Sequence, residues 1–84
     1  MEWNVENNNL TRDFELSNFV EAVHFVINIV PLAEEMNHHP DVLIYGYKHV
    51  KVMLFTHSLN SITDKDYTLA KKIDEIWQKY IEGI

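Results

Sequence analysis

Cysteine is absent from the chain, which excludes disulfide bonds and zinc sites built on thiolate ligands. Glycine and proline occur only twice each among 84 residues, and 46% of the residues are hydrophobic. This composition is typical of a packed globular protein and differs from that of a disordered chain. We therefore expect residues 1–84 to form a single domain that is held together by side-chain packing alone.

Basic residues are scarce as well. Seven lysines and arginines stand against thirteen aspartates and glutamates, which gives a net charge of -6. Binding to nucleic-acid phosphates needs a basic face, so we expect no direct nucleic-acid partner. The sequence has no apolar run of the roughly 18 to 20 residues that cross a membrane, and its start lacks the basic and apolar regions of a signal peptide. These absences predict a cytoplasmic protein with no membrane partner.

The hydrophobic periodicity changes several times along the chain and predicts the element order β-β-α-β-β-α. This order indicates an α+β fold with a four-stranded antiparallel sheet and helices packed on one of its faces. Pro31 lies within the first helical pattern, so we expect a kink or a local break there. The predicted elements are a hairpin within 1–16, a helix whose start is marked by the capping pair Asn18 and Glu21, strands at about 42–46 and 49–57, and a helix after Thr63.

One stripe of the first helix is expected to pack on the sheet, because its apolar residues recur at helical spacing. Three apolar residues lie off that stripe and indicate a contact between subunits. The sequence therefore predicts a homo-oligomer, either a dimer or a tetramer. The stripe comprises Phe19, Ala22, Val23, Val26, Ile29, Val30 and Ala33, and the residues off it are Val20, Phe25 and Leu32.

Titratable side chains concentrate between the first helix and the start of the last one. The adjacent residues His38 and His39 precede Pro40, which disfavours a helical conformation at His39 and ends the helix before it. His57 reaches this corner only if the two following strands fold back on each other. Asp66 is in phase with the apolar stripe of the last helix, so its carboxylate is expected to face the sheet.

This spaced set of residues resembles the pterin-4a-carbinolamine dehydratases, and the resemblance covers nearly the whole chain. It implies a hydro-lyase that removes water from a 4a-hydroxytetrahydropterin to give a quinonoid dihydropterin, with no metal and no cofactor. The residues that carry the resemblance are Glu34, His38-His39-Pro40, Tyr47, Thr56-His57 and Asp66, supported by Trp3, Phe14, Asn18-Phe19, Ala22, Phe25, Ala33 and Leu69-Ala70.

By this resemblance, catalytic or pterin-contacting roles fall on three histidines and one carboxylate. We expect His39 and His57 to transfer protons, since imidazole has an unperturbed pKa of about 6.5 and can act as acid or base. We expect His38 to orient the substrate and Asp66 to align a histidine. The supporting residues in this prediction are Glu34 and Tyr47.

Alternatives stay open at this point. Asp66 can serve only as a capping partner of Thr63, and the two adjacent histidines can be a polar helix end. A metal site containing Glu34 and His38 is less favoured, because adjacent histidines point in different directions and seldom bind one ion. The whole chain can also be a non-catalytic dimerisation or binding module, or an inactive paralogue that binds pterin. Some animal members of the family that it resembles also act as dimerisation cofactors for a homeodomain transcription factor.

Three positions depart from the pattern of the family that the chain resembles. Glu35 stands where a lysine is common, Val42 where an aromatic residue is frequent, and Ser61 where glycine is usual. If the glycine has a positive φ, serine at this position must be strained or the loop must take another path. We expect these departures to change the local charge, the pocket wall and the loop that precedes Asp66.

Overall fold

A computed structural model describes residues 2–81. The single domain predicted for 1–84 includes residue 1 and residues 82–84, which lie outside the described residues. Within the described part of the chain, neither helix is long and apolar enough to cross a membrane. The elements are β1 (Asn4–Glu6), β2 (Asn9–Glu15), α1 (Phe19–Met36), β3 (Asp41–Tyr45), β4 (His49–Leu54), a 3₁₀ turn (His57–Leu59) and α2 (Asp64–Ile81).

The four strands form one antiparallel sheet in the order β1-β2-β4-β3. Leu10 pairs with Leu54 and Phe14 pairs with Val50, and all four side chains are buried beneath the helices. Because strand side chains alternate, the paired residues Thr11 and Met53, and Asp13 and Lys51, face the opposite side of the sheet. The predicted α+β fold and the predicted element order are both confirmed.

Both hairpins turn through pairs of residues with positive φ. Asn7 and Asn8 have φ angles of 49° and 65°, and Gly46 and Tyr47 have φ angles of 54° and 55°. In the two-residue loop Asn7-Asn8, positive φ at both central residues is the signature of the type I′ turn, whose twist matches that of antiparallel strands. The β3–β4 loop has three residues, and the Lys48 amide donates to the Gly46 carbonyl at 2.7 Å within it. The second turn places Tyr47 at the end of the hairpin remote from the last residues of β4.

Helix α1 begins where the sequence predicts, with the Glu21 amide donating a hydrogen bond of 2.9 Å to the Asn18 side chain. It continues through Pro31 as one helix of 18 residues, so the predicted break does not divide it. Pro31 is exposed, and the missing hydrogen bond therefore lies on the solvent side of the helix. The result is an uninterrupted element that extends to the histidine corner.

The stripe that α1 buries differs from the predicted one. Phe25 is fully buried, and its ring lies 4.8 Å from that of Phe14 and 5.6 Å from that of Trp77, whereas Phe19 is 55% exposed and Val30 is 52% exposed. An aromatic cluster between the sheet and α2 therefore sets the rotation of the helix. Leu32, also predicted at a subunit contact, packs against the core instead. The buried residues of α1 are Ala22, Phe25, Ile29 and Ala33.

Two residues of the N-terminal hairpin meet one carboxylate of α2. The Trp3 indole and the Arg12 guanidinium each donate a hydrogen bond of 2.8 Å to Asp74 Oδ1. Arg12 also lies over the Phe14 ring at 4.5 Å. Trp3 is buried. These bonds fix the hairpin against α2.

Candidate active site

The C-terminus of α1 determines where the first histidine lies. Asn37 adopts the left-handed conformation with a φ of 50°, and its amide donates to the Glu34 carbonyl at 3.1 Å. The His38 amide donates to the Ala33 carbonyl at 3.0 Å. Hydrogen bonds of this kind satisfy the last helical carbonyls and reverse the chain. They hold the His38 backbone against the end of the helix.

The reversed chain brings His38 to the first turn of α2. His38 Nε2 lies 2.6 Å from Asp66 Oδ1, and the His38 side chain is only 11% exposed while Asp66 is fully buried. The sequence predicts that Asp66 aligns a histidine, and the structure pairs this carboxylate with His38. A carboxylate that accepts a hydrogen bond from a ring nitrogen fixes the orientation of the imidazole.

Asp66 remains ionised in the interior because several donors surround it. Burial, the largest single influence, raises the pKa of this carboxyl, but the hydrogen bonds from His38, the Thr63 amide and the Thr56 hydroxyl together lower the pKa below its ordinary value. The Thr63 amide lies 2.9 Å from Asp66 Oδ2, and the Thr56 hydroxyl lies 2.8 Å from the same oxygen. The buried charge is therefore fully hydrogen-bonded.

The same contacts form the N-terminal cap of α2. Thr63 accepts a hydrogen bond of 3.3 Å from the Lys65 amide through its hydroxyl, while its own amide donates to Asp66. This reciprocal arrangement is a capping box, with Asp66 in the position usually held by Glu or Gln. The capping role that the sequence offers for Asp66 and its contact with His38 thus occur in one carboxylate, each involving a different oxygen.

A closed loop carries the third histidine. The Thr56 amide donates to the Ser61 carbonyl at 2.9 Å, and His57 opens the 3₁₀ turn between them. The positive φ of this loop, 51°, occurs at Asn60. Ser61 therefore replaces the usual glycine without the strain that the sequence comparison anticipates. The exposed His57 ring packs edge-on against Phe55 at a centroid distance of 5.1 Å.

His39 has a different setting from His38. Its Nε2 lies 2.5 Å from Glu34 Oε2, and both side chains are more than half exposed. Glu34 thus contacts His39 rather than His38, so the helical pair considered as part of a metal site does not form. Among residues 2–81, no group of three or more histidines and carboxylates is arranged to hold a metal ion.

One cleft of about 380 Å³ brings the three histidines together. Two hollows of about 400 and 530 Å³ lie elsewhere, but histidine is absent from the described residues that line them. The volume of the histidine cleft is within the usual range for small-molecule sites. The residues that line it are Asn37, His38, His39, Phe55, Thr56, His57, Ser58 and Lys65.

Sequence reasoning did not identify all of these neighbours. Thr56 enters the sequence analysis only as the neighbour of His57, and Thr63 only as a helix cap, yet both bind the carboxylate behind His38. The spacing of Thr63 and Asp66 carries a signal for this contact, since a capping box requires the third helical residue to reach back. Asn37 and Lys65 also line the cleft, and nothing in the sequence pattern around them predicts this position.

Other residues singled out in the sequence lie away from this cleft. Tyr47 is exposed in the β3–β4 turn, at the opposite end of β4 from His57. Glu35 forms an ion pair with Lys72 of α2 at 3.2 Å. Val42 lines an apolar groove of about 200 Å³ beside His39 and Glu34. The structure therefore brings together His38, His39, His57 and Asp66, places Glu34 at their border, and separates Tyr47 from them within one chain.

Comparisons with known proteins agree with the arrangement of elements. A family model described as pterin 4 alpha carbinolamine dehydratase matches residues 1–76. A Sulfolobus acidocaldarius protein named "Putative pterin-4-alpha-carbinolamine dehydratase" is 50% identical over 74 residues, or 88% of this chain and 80% of that protein. A Chloroflexus aurantiacus protein of the same name is 45% identical over 75 residues, or 89% of this chain and 80% of that protein.

Two solved structures share the fold. The crystal structure of a transcriptional coactivator/pterin dehydratase from Brucella melitensis superposes with a TM-score of 0.82 at 32% identity, covering 89% of this chain and 81% of that chain. A pterin dehydratase-like protein described as a RuBisCO assembly factor of the α-carboxysome has a TM-score of 0.72 at 19% identity, covering 89% of this chain and 88% of that chain. The second likeness concerns the fold alone.

Proposed function

Because this chain belongs to the pterin 4 alpha carbinolamine dehydratase family, we propose that it removes water from a 4a-hydroxytetrahydropterin by histidine acid-base catalysis. The product is the corresponding quinonoid dihydropterin. The substrate is a small heterocycle, and the cleft of about 380 Å³ offers it a site without requiring a rearrangement of the fold.

One observation carries the proposal: three imidazoles from two segments distant in sequence line a single cleft. His38 and His39 follow the C-terminus of α1, and His57 comes from the turn after β4. Their convergence supplies several groups that can bind or release a proton near neutral pH.

The reaction requires two proton movements. As the bond between C4a and the hydroxyl oxygen breaks, an acid gives that oxygen a proton and water departs. As the new C=N bond forms, a base removes the proton from the adjacent ring nitrogen. Groups of this kind contribute roughly 10² to 10⁴-fold in rate. We assign these two transfers to His39 and His57, whose side chains are exposed.

His38 has the setting of an orienting residue. Its ring is held by a buried carboxylate and is largely shielded from solvent, so its position is fixed before the substrate arrives. Asp66 acts through His38, and Glu34 supports His39 in an exposed pair. No step in this scheme requires a metal ion or an organic cofactor.

Dehydration of a 4a-hydroxytetrahydropterin generated in situ tests the assignment. We expect His39→Ala and His57→Ala each to lower kcat/KM by about 10² or more, while His24→Ala, an exposed histidine of α1 outside the cleft, keeps the wild-type rate. Equal rates for all four proteins would remove the enzymatic proposal. Binding of pterin without turnover by the wild type would instead identify an inactive paralogue.

We also propose that the chain forms a homo-oligomer through α1. Val20, Ile27 and Val30 are each more than half exposed and, with the half-buried Val23, form a second apolar stripe at spacings of three and four residues. A second copy of the chain is the simplest partner for a self-complementary helical stripe.

Tyr47 supports a pterin site in this proposal only from a neighbouring copy. The predicted cytoplasmic location is part of the same proposal.

A further inference from the structure

The hydrogen bonds behind His38 can be followed donor by donor. Asp66, when ionised, accepts hydrogen bonds and donates none. The contact of 2.8 Å between Thr56 Oγ1 and Asp66 Oδ2 is therefore donated by the Thr56 hydroxyl. Thr56 has one hydroxyl hydrogen, and this contact uses it.

The next bond in the series then has only one possible direction. Thr56 Oγ1 and Thr63 Oγ1 lie 2.7 Å apart, and either oxygen could donate in isolation. Because the Thr56 hydrogen points at Asp66, the Thr63 hydroxyl must donate to Thr56. Thr63 in turn accepts from the Lys65 amide at 3.3 Å. Every hydrogen in the chain from Lys65 through both threonines points towards Asp66.

The second carboxylate oxygen, Asp66 Oδ1, determines which ring nitrogen of His38 carries a hydrogen. Asp66 Oδ1 accepts from His38 Nε2 at 2.6 Å, so Nε2 carries a hydrogen. A neutral imidazole has a single N–H, and its second nitrogen is then an acceptor. None of the described residues forms a hydrogen bond to His38 Nδ1, while the His38 ring lines the cleft.

We propose that Thr56 and Thr63 are positioning residues, whose aligned hydroxyls hold Asp66 as an acceptor and thereby keep neutral His38 in the Nε2–H tautomer with Nδ1 available to the substrate. This inference deepens the proposed dehydratase function and rests on it for its catalytic meaning. The tautomer itself is a property of the folded chain without any ligand. Neither threonine is required to touch the substrate.

Burial makes the arrangement effective. Thr56 is 2% exposed and Asp66 is fully buried, so water does not compete for the carboxylate. The described residues contain no buried side-chain nitrogen or oxygen without a hydrogen-bond partner. Removing one hydroxyl therefore leaves a deficit that solvent cannot make up.

Other charged groups around the cleft come from each neighbouring element. Lys65 comes from α2, His57 from the 3₁₀ turn, and His39 with its partner Glu34 from the end of α1. Phe55 and Thr56, which lie between β4 and the 3₁₀ turn, line the cleft but carry no charge. The His38 signals have to be separated from those of His39 and His57, which a residue-specific measurement achieves.

Two-bond ¹H–¹⁵N imidazole spectra across a pH titration test the proposal, with the His38 signals assigned from a His38→Gln variant. In the wild type we expect neutral His38 in the Nε2–H form, in about tenfold excess or more. In Thr56→Val, Asp66 loses the donor that holds Oδ2, so its carboxylate is held less firmly towards His38 and the excess of the Nε2–H form is expected to fall by about threefold or more. The value of kcat/KM is expected to fall with it.

Two controls separate positioning from packing. Thr56→Ser keeps the hydroxyl and should retain the wild-type tautomer of His38. Thr11→Val removes another buried threonine hydroxyl, one that bonds to the Asn9 carbonyl in β2, and should leave the His38 tautomer unchanged. Thr63→Val is the second variant if Thr56→Val does not fold, and it is expected to lower the excess of the Nε2–H form as well.

Each result decides between the proposals. Neutral His38 in the Nδ1–H form in the wild type overturns the inference without any variant, and so does an unchanged tautomer ratio in a folded Thr56→Val protein. The spectra need no substrate. A wild type that shows the expected tautomer but neither binds nor dehydrates pterins therefore removes the proposed function and leaves the hydrogen-bond chain standing.

Discussion

His38 Nε2 and Asp66 Oδ1 lie 2.6 Å apart although 28 positions separate the two residues in sequence. The contact joins the C-terminus of α1 to the first turn of α2, so it forms only when both helices lie on the sheet. The geometry of the site is therefore a direct consequence of the tertiary fold. His39 and Glu34, by contrast, are only five positions apart and form a local, exposed pair.

The two carboxylates paired with histidines should differ in their effect on rate. Asp66→Asn places an amide where three donors converge, and the amide disfavours the proposed tautomer of His38, so kcat/KM is expected to fall by about 10² or more. Glu34→Gln alters a pair that is mostly in water, and the loss should stay within about fivefold. Steady-state dehydration kinetics check both values, with circular dichroism to verify folding. Similar losses in the two variants would contradict the distinction.

Acid should weaken the fold partly through Asp66. The pKa of this carboxyl is lowered from its ordinary value of 3.8 in the folded state, so the folded chain binds this proton less readily than the unfolded chain. The stability that the ionised form contributes is therefore fully present above about pH 5 and is lost as the pH falls through the folded-state pKa. Urea unfolding at pH 7 and at pH 3 measures this contribution to the free energy of unfolding.

Asp66→Asn is the reference for that measurement, because the amide does not titrate. We expect the wild type to be more stable than the variant at pH 7, by about 2 kcal/mol. The difference should shrink at pH 3, while the loss from other carboxylates is common to both proteins. A difference that stays constant or grows on acidification would refute the assigned direction.

Two substitutions in the β3–β4 turn should change the free energy of unfolding in opposite directions. Gly46 has a φ of 54°, and an added Cβ would lie 3.2 Å from His49 Cδ2, so Gly46→Ala should lower the free energy of unfolding by about 1 kcal/mol. Tyr47 holds a bulky side chain at a φ of 55°, so Tyr47→Gly should raise it by about 0.5 kcal/mol. Chemical denaturation of both variants checks the pair, and a decrease in both would contradict it.

If the chain self-associates through the second apolar stripe of α1, a charged residue in that stripe should dissociate the oligomer. Ile27→Lys places a cation in the middle of that stripe, where a partner helix would have to desolvate it. We expect sedimentation velocity to show the monomer for this variant and a larger species for the wild type. Leu59→Lys, at an exposed leucine outside α1, should sediment as the wild type does. A monomeric wild type would end the proposal.

Local chemistry made much of the fold predictable. The asparagines near residue 8, Gly46, Asn18 and Thr63 mark turns and helix starts through backbone conformations and caps that these residue types favour. Val50, Val52 and Leu54 of β4 and Thr56 after it recur at every second position, and all four are buried. Such features depend on a few neighbouring residues, so a single sequence contains them.

The rotation of α1 and the partner of Asp66 were less accessible. Phe25 is drawn into the core by Phe14, Trp77 and Tyr80, three residues from two other elements. The periodicity of the helix alone allows neighbouring stripes to compete, and the aromatic cluster decides between them. In the same way, only the packed sheet and helices show that Asp66 contacts His38 rather than His39 or His57.

The position of Trp3 has a practical consequence for spectroscopy. Its ring lies 6.0 Å from that of Phe14, which also contacts Trp77, so both tryptophans of the chain belong to the aromatic core and neither lines the histidine cleft. Intrinsic indole emission therefore reports melting of the interior. Occupancy of the cleft is better followed through the absorbance or fluorescence of the bound heterocycle, so one sample can yield two independent optical signals.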